Sequence, residues 1–370
     1  MWNRKRRPVY CMIAMLLLAA CSRNGYEELQ VTDVPIMVNT SVAGTKAYAG
    51  SDDEAETGEN VSGKLFFWYG NTYDELCAAN TTKGPSPYFT YLMNDPIASF
   101  GLAENRWIDT GYSYIKDMDL YATGYAPRNM LVEDDALGFR KLHVEADRAE
   151  DVVHYDFLSC DAEDTRKGSL ENPFGSASNE LIFRHLTSKI LVVALRHETM
   201  TNQVYVRKVQ VDLSLTGEVP FHVPKTLEWR QRNGCWGYEV TETTEIHTPL
   251  ELKDDTEDMI MVLQEKRVDS CYVCQPADAA VSQDIAVNLN VQAEYSYVQN
   301  FASSYLFHWS GENMRIQDAS NPSGYITRFE PGYIYIIYLN FYKTGILITA
   351  EKAEWEDGGI HYVPVVPSQE

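Results

Sequence analysis

The sequence predicts an all-β protein, and two observations carry that prediction. Stretches in which apolar and polar residues alternate recur along the chain, and a period of two is typical of half-buried strands. The chain also contains 24 tyrosines, which suit amphipathic strands better than helices. Helical signals are limited to a turn or two over residues 71–79. A chain of 370 residues corresponds to about two domains.

Residues 1–20 form a predicted export signal. The basic residues Arg4 to Arg7 precede an apolar run, Cys11–Ala20, whose ten residues are too few for a bilayer that needs roughly 20. The segment Leu18–Cys21 resembles the lipobox of bacterial lipoproteins. That resemblance implies that Cys21 becomes the first residue and carries lipid. The alternative is an ordinary signal peptide with a chance cysteine.

The strands predicted beyond the signal differ in how they are buried. A nearly continuous apolar run, Lys189–Leu195, indicates a strand covered on both faces. Strict alternation over Val209–Leu215 and over Ile285–Tyr297 indicates half-buried strands, the second unusually long. The run Tyr333–Phe341 resembles the first one, and a short glycine-containing loop joins it to Ile346–Ala350. This last pair is predicted to be a hairpin.

Three polar or Gly/Pro-rich segments interrupt the predicted strands. They are the acidic stretch Ser51–Asn60, the segment Cys160–Asn179, and Val219–Trp236 with two prolines and a glycine. We place the boundary between domains in the third segment. The predicted N-terminal domain is residues 21–224 and the C-terminal domain is residues 225–370.

Composition argues against a nucleic-acid partner. Asp and Glu number 53 against 31 Lys and Arg, so the net charge is −22, and a phosphate-binding surface needs the opposite sign. Cysteine usage does not suggest a disulfide framework, because the number beyond Cys21 is odd. Buried or half-buried thiols are expected at Cys77, Cys160, Cys235, Cys271 and Cys274.

No motif for catalysis, a cofactor or a metal is present in the sequence. The HExxH, GxSxG, P-loop and GxGxxG patterns are all missing, and no element carries a two-histidine-plus-carboxylate cluster. His185 has no evident partner and is expected to pack at the end of a strand. We therefore predict a protein that is not an enzyme and has no cofactor.

Four segments, in order along the chain, resemble one family. Residues 183–195, FRHLTSKILVVAL, resemble the F-x-H-x-x-S-K-I strand of the fimbrillins of Bacteroidales, the subunits of type V pili. Residues 45–47 (TKA) follow the first apolar run, and residues 120–127 (LYATGYAP) look like the family's strand with a Y-x-P corner. Residues 331–359 resemble its closing hairpin with W-x-D-G-G.

The resemblance implies a fold, a location and a mode of assembly. The fold would be two tandem transthyretin-like β-sandwich domains. The chain would be exported as a lipoprotein, held in the outer membrane through lipid on Cys21, and exposed at the cell surface. It would join other fimbrial subunits, identical or paralogous, by donor-strand exchange and support adhesion. Stalk, anchor and tip positions all remain open.

The same resemblance assigns roles to individual residues. In the family, an Arg- or Lys-specific protease removes the first strand, and Lys46 is the residue at the matching place. Lys46 could instead simply end a strand. The displaceable strand would contain Val34, Ile36 and Val38. The donor or groove strand would contain Val363, Val365 and Val366, for which a disordered tail is the alternative.

A second functional class stays open from the sequence. A monomeric cell-surface lipoprotein that binds glycans would stack sugars on exposed aromatic rings, although most of the tryptophans lie in or beside strand patterns. The candidates are Trp68, Tyr69, Trp107, Trp229, Trp236, Trp309 and Trp355. An enzyme with a carboxylate pair ranks below both classes, because nothing in the sequence selects a pair.

Overall fold

In a computed structural model of the chain, the secondary structure is almost entirely strand, and the prediction of an all-β protein is confirmed. The structure describes residues 31–38, 40–42, 63–70, 87, 89–93, 108–163, 165–174, 179–200, 204–254, 256–275, 285–318, 324–343 and 345–354.

Ten strands come from the first half of the chain. They are β1 (Val31–Val38), β2 (Thr40–Val42), β3 (Gly63–Gly70), β4 (Phe89–Met93), β5 (Ile108–Ile115), β6 (Asp119–Ala126), β7 (Leu131–Asp134), β8 (Gly138–Val144), β9 (Leu158–Cys160) and β10 (Leu181–His185). The helices described are short. They are α1 (Ala149–Val152) and two 3₁₀ turns at Arg128–Met130 and Glu198–Met200.

Eleven further strands follow. They are β11 (Ser188–Arg196), β12 (Tyr205–Leu215), β13 (Phe221–Arg232), β14 (Cys235–Ile246), β15 (Leu250–Lys253), β16 (Lys266–Val273), β17 (Ala286–Ser296), β18 (Ser304–Arg315), β19 (Gln317–Asp318), β20 (Tyr333–Tyr342) and β21 (Gly345–Glu354).

The strands assemble into several sheets. One six-stranded sheet has the order β2-β10-β9-β6-β3-β4, and a five-stranded sheet has the order β16-β11-β20-β21-β19. Two four-stranded sheets have the orders β15-β12-β17-β18 and β14-β13-β8-β7. The remaining pair is β1 with β5. Most neighbours are antiparallel, but β11 runs parallel to β20, and β2 runs parallel to β10.

Strands predicted from apolar runs and alternation agree with the structure. All nine residues of β11 are buried because both faces of the strand are covered: Ile190 and Val192 pack in the largest core cluster, and Leu191 and Val193 pack in a separate one. In β17, the odd-numbered residues from Val287 to Tyr295 are buried and the intervening ones are more exposed. β20 and β21 form the predicted hairpin.

The predicted break at residues 219–236 is wrong, because this segment forms most of the β13–β14 hairpin. Pro224 lies within β13, next to shifts in register at Thr226, and such irregularities tolerate a residue without an N–H. Gly234 lies in the turn with a φ of +84°. The domain boundary predicted after residue 224 therefore falls inside a strand, and the division into two domains stays a prediction.

The hairpin reaches both halves of the chain. Near its tip, Trp229 stacks on Trp68 of β3, with ring centroids 6.0 Å apart. At its base, the Phe221 ring lies 6.2 Å from that of Phe329, and His222 forms a backbone bridge to Cys274. The largest cluster of buried side chains accordingly runs without interruption from β3 to β21.

Candidate functional site: a loosely held first strand

The first strand, β1, is joined to the rest of the molecule by an irregular ladder. It pairs with β5 alone among the described strands, and its register shifts twice, on either side of Pro35. Proline donates no hydrogen bond and is typical of outer strands. Gly111, in β5 within the second shift, has a φ of +77°, a conformation that glycine adopts without strain. β1 thus lacks the regular pairing of the strands in the main sheets.

One described side chain of β1 enters the core. Ile36 is fully buried, whereas Val34, two residues earlier, is 42% exposed and Val31 is more exposed still. Regular alternation would bury Val34 together with Ile36, so the shift in register at Pro35 accounts for the difference. The cluster around Ile36 contains Leu65, Phe67, Tyr114, Ala122, Leu120, Ala126, Leu158, Cys160, Phe174, Leu181 and Phe183.

Side-chain hydrogen bonds replace part of the missing ladder. Thr32 Oγ1 donates to the carbonyl of Tyr114 at 2.8 Å, and Thr110 Oγ1 donates to the carbonyl of Ile36 at 2.9 Å. The Val34 N–H donates to Thr32 Oγ1 within β1 itself. Part of the hydrogen-bonding capacity of β1 is therefore satisfied locally instead of by β5.

Two tyrosines of the cluster around Ile36, Tyr114 and Tyr69, form hydrogen bonds with backbone groups. The Tyr114 hydroxyl accepts a hydrogen bond from the Phe174 N–H at 2.8 Å. Burial raises the pKa of Tyr114 to about 12, so the phenol stays neutral at ordinary pH. The Tyr69 hydroxyl donates to the carbonyl of Ser113 at 2.7 Å. The surface that β1 packs against is therefore part of the folded core.

β2 follows β1 in the chain and pairs at the edge of a different sheet, the six-stranded one. Thr40, Ser41 and Val42 pair in parallel with Leu181, Ile182 and Phe183 of β10. β2 is the outer strand of the six-stranded sheet. Residues 31–42 thus contribute two outer strands, and both lie on the N-terminal side of Lys46.

The other residues assigned from the sequence fall outside the described ranges. Cys21, Lys46, Val363, Val365 and Val366 all lie there, and so does the side chain of Val38. Among the predicted site residues, the structure therefore places only Val34 and Ile36 with their side chains.

His185 has a partner that the sequence did not indicate. Its Nδ1 lies 2.6 Å from the carboxylate of Asp156, and Thr187 Oγ1 donates to the same carboxylate at 2.7 Å. His185 is buried at the end of β10, as predicted. Because Asp156 lies 29 residues earlier in the chain, no local pattern identifies this contact. The Asp156 carboxylate thus connects the loop before β9 with the end of β10 and the turn between β10 and β11.

The described tryptophans do not form an exposed platform for sugars. Trp68, Trp229 and Trp236 are buried and pack together, with the last two rings 4.5 Å apart. Trp309 is partly buried against the core. Trp107 and Trp355 lie outside the described ranges. The described tryptophans, which suggested a glycan-binding protein, are thus core residues. Trp309 alone among them is only partly buried.

The four described cysteines are free thiols. Cys160, Cys271 and Cys274 are buried and Cys235 is half-buried, as expected from the sequence, while Cys77 lies outside the described ranges. Burial raises the pKa of each of the three buried thiols well above its usual range, which disfavours the reactive thiolate.

Within the described ranges, no group of three or more His, Cys, Asp or Glu side chains is placed to hold a metal ion. The part of the chain that the structure describes also contains no helix that is long and apolar enough to cross a membrane.

Comparison with known proteins gives matches among solved structures. No family model and no curated protein matches the chain. A fimbrial protein from Bacteroides vulgatus is 12% identical, and the match covers 86% of this chain and 99% of that chain with a TM-score of 0.42. The tip fimbrial protein Mfa3 from Porphyromonas gingivalis is 9% identical, covering 88% and 100% with a TM-score of 0.36. The solved structures similar to this chain thus include putative cell adhesion proteins and fimbrial proteins of Bacteroidales.

Proposed function

We propose that the chain is a fimbrial subunit that supports adhesion, is exported as a lipoprotein and joins other subunits by strand exchange at the site of β1. The observation that carries this proposal is the attachment of β1, which is a single irregular ladder in which Ile36 is the one described side chain that enters the core. The sequence motifs around Cys21 and Lys46 support it independently.

The energetics of β1 favour displacement by a better strand. Burial of one isoleucine contributes about 2–3 kcal/mol, and each neutral hydrogen bond contributes about 1 kcal/mol net. Ordering the backbone costs about 1–2 kcal/mol per residue. A competing strand that fills the Ile36 position and pairs regularly with β5 would gain hydrogen bonds that β1 lacks.

Removal of β1 would leave the features that a donor strand needs. The outer side of β5 would present unpaired N–H and C=O groups, which are a template for another strand. The space vacated by Ile36 would accept an apolar side chain among Leu65, Phe67 and Tyr114. Val363, Val365 or Val366 of a neighbouring subunit has the chemistry to occupy it.

The proposed cleavage at Lys46 fits the order of elements along the chain. β2 ends at Val42 and β3 begins at Gly63, so a cut after Lys46 would separate both N-terminal strands from the remaining sheet strands. It would also separate the lipid on Cys21 from the subunit. Attachment to the outer membrane and competence for assembly would then be mutually exclusive states.

Limited proteolysis tests the proposal directly. The chain from Cys21 onward is treated briefly with trypsin, the products are identified by mass spectrometry, and assembly is followed by size-exclusion chromatography. We expect one fast cut after Lys46, followed by growth into oligomers. In the Lys46→Gln variant, this cut should be absent and the protein should stay monomeric.

A peptide experiment separates displacement from cleavage. After the cut, a labelled peptide of residues 31–42 should exchange with bound β1 and should inhibit oligomer growth. The same peptide with Ile36→Asp should do neither, because a carboxylate cannot be buried without a partner at that position. Cut protein that stays monomeric and takes up neither peptide would refute strand exchange at this site.

A further inference from the structure

A second strand edge, far from β1 in sequence, is also unpartnered. β18 pairs with β17 along its length, from Ser304 opposite Ser296 to Arg315 opposite Ala286. No strand among the described residues pairs with its other side. A register shift near Asn313, whose φ is +58°, ends the regular part of β18. The segment Ser304–Gly311 therefore offers about 27 Å of free backbone edge.

This edge lacks the charges that normally prevent strands from pairing between molecules. Ser304–Gly311 contains no Asp, Glu, Lys or Arg and no proline. Charged side chains or prolines on outer strands are the usual protection against such pairing. Among the other outer strands of the four larger sheets, β2 and β4 also lack charged residues, whereas four strands carry at least two each: Glu133 and Asp134 in β7, Glu239, Glu242 and Glu245 in β14, Glu251 and Lys253 in β15, and Lys266, Arg267 and Asp269 in β16.

Apolar side chains accompany the free edge. Tyr305, Leu306 and, in the adjacent turn, Tyr297 and Val298 are exposed, with the Tyr297 and Tyr305 rings 5.8 Å apart. Further along the strand, Phe307, Trp309 and Met314 pack against the core but remain only partly buried. An additional strand beside Ser304–Gly311 would cover more of Tyr305, Leu306, Phe307 and Trp309.

We propose that this edge binds a second copy of the same chain, with the two β18 strands antiparallel about a two-fold axis. With Phe307 opposite its own counterpart, Tyr305 of each copy lies opposite Trp309 of the other, and Leu306 lies opposite His308. The exposed Tyr305 of each copy thereby meets the half-buried Trp309 of the other, at two symmetric places. Such a contact is self-complementary, as a two-fold interface requires.

Electrostatics is consistent with this occupant. Within the paired segment, Ser304–Gly311, no Asp, Glu, Lys or Arg of one copy faces such a residue of the other. Glu312 and Arg315 lie beyond this segment. The net charge of −22 repels whole molecules, and salt screens this repulsion. Dimerisation should therefore strengthen as salt increases. Because the contact is short, the expected affinity is in the micromolar range, about 10 µM.

Sedimentation velocity on the uncut chain from Cys21 onward tests the dimer. The protein is measured from about 5 to about 200 µM at low and at high salt, and mass spectrometry verifies that it is intact. We expect a monomer–dimer equilibrium that shifts toward dimer with concentration and with salt. Cleavage at Lys46 is not involved, so this outcome is independent of strand exchange at β1.

Charge variants at Leu306 identify the interface. The side chain is 57% exposed, so Leu306→Lys and Leu306→Glu should fold normally, which circular dichroism verifies. Each variant alone should be monomeric because like charges meet near the axis, whereas an equimolar mixture should dimerise again. The control Val219→Lys, at a loop position that is 54% exposed, should dimerise like the wild type. A monomeric wild type, a dimeric Leu306→Lys, or a mixture that fails to recover would each overturn the proposal.

Discussion

Ile36 and Val34 are both branched aliphatic residues on one strand, yet only Ile36 lies in the core. The difference comes from the register shift at Pro35, which the sequence does not reveal because both residues fit one alternating pattern. The sequence thus predicted the strand and its candidate residues, but the difference in burial between Ile36 and Val34 emerged only from the three-dimensional pairing with β5.

Substitution of Ile36 should destabilise β1 locally. In Ile36→Ala, we expect a loss of about 2–4 kcal/mol, expressed as faster hydrogen exchange in β1 and β5 while β11 keeps its protection. The matched control Val34→Ala changes a side chain that is 42% exposed and should have little effect. Equal acceleration in β11 would show that β1 unfolds only with the whole molecule.

A pH effect is expected at Asp134. The Asp134 carboxylate accepts a hydrogen bond from His143 Nε2 at 3.0 Å and others from the N–H groups of Leu137 and Ala136. Together they lower the pKa of Asp134 from 3.8 to about 2. Because the folded pKa lies below the unfolded one, this stabilisation is present above about pH 4 and is lost as the pH falls toward 2.

Nuclear magnetic resonance titration of the Asp134 carboxyl measures this pKa. In His143→Ala, the pKa should move upward, since the largest favourable contact is removed. A pKa near 4 in the wild type would contradict the arrangement of the β7–β8 turn.

At the level of elements, β13 shows where sequence patterns mislead. Pro220, Pro224 and Gly234 predicted a loop, and the structure has a twelve-residue strand and a tight turn there. Pro224 is accommodated beside an irregularity, and such accommodation depends on the partner strand β14. By contrast, β11, β12 and β17 were predictable because their burial follows directly from apolar runs or alternation.

The tip of the β13–β14 hairpin should carry much of the stability of its neighbourhood. Trp229 packs on Trp236 and Trp68 and is buried. For Trp229→Ala, we expect a loss of about 3–5 kcal/mol in the free energy of unfolding, measured with urea. The adjacent Arg230→Ala, at an exposed position, should change it little. Similar values for both variants would mean that the tip is not part of the cooperative core.

For the whole molecule, the predicted fold class is confirmed, and the predicted division into two domains remains a prediction. The network of Asp156, His185 and Thr187 joins residues that are distant in sequence, and no alternating pattern encodes such contacts. The roles of Cys21, Lys46 and the C-terminal valines remain predictions from motifs. Their roles depend on other molecules, namely a lipid, a protease and a second subunit, which a single chain does not contain.

The β13–β14 hairpin also has a mechanical consequence. Its base contacts elements from the second half of the chain, and its tip contacts β3 and β8 from the first half. The hairpin therefore links the two halves of the chain. If the chain assembles into filaments as proposed, tension would enter each subunit at one junction and leave at another. Separating the two halves of the subunit would then require breaking either the tryptophan contacts at the tip of the hairpin or the contacts at its base.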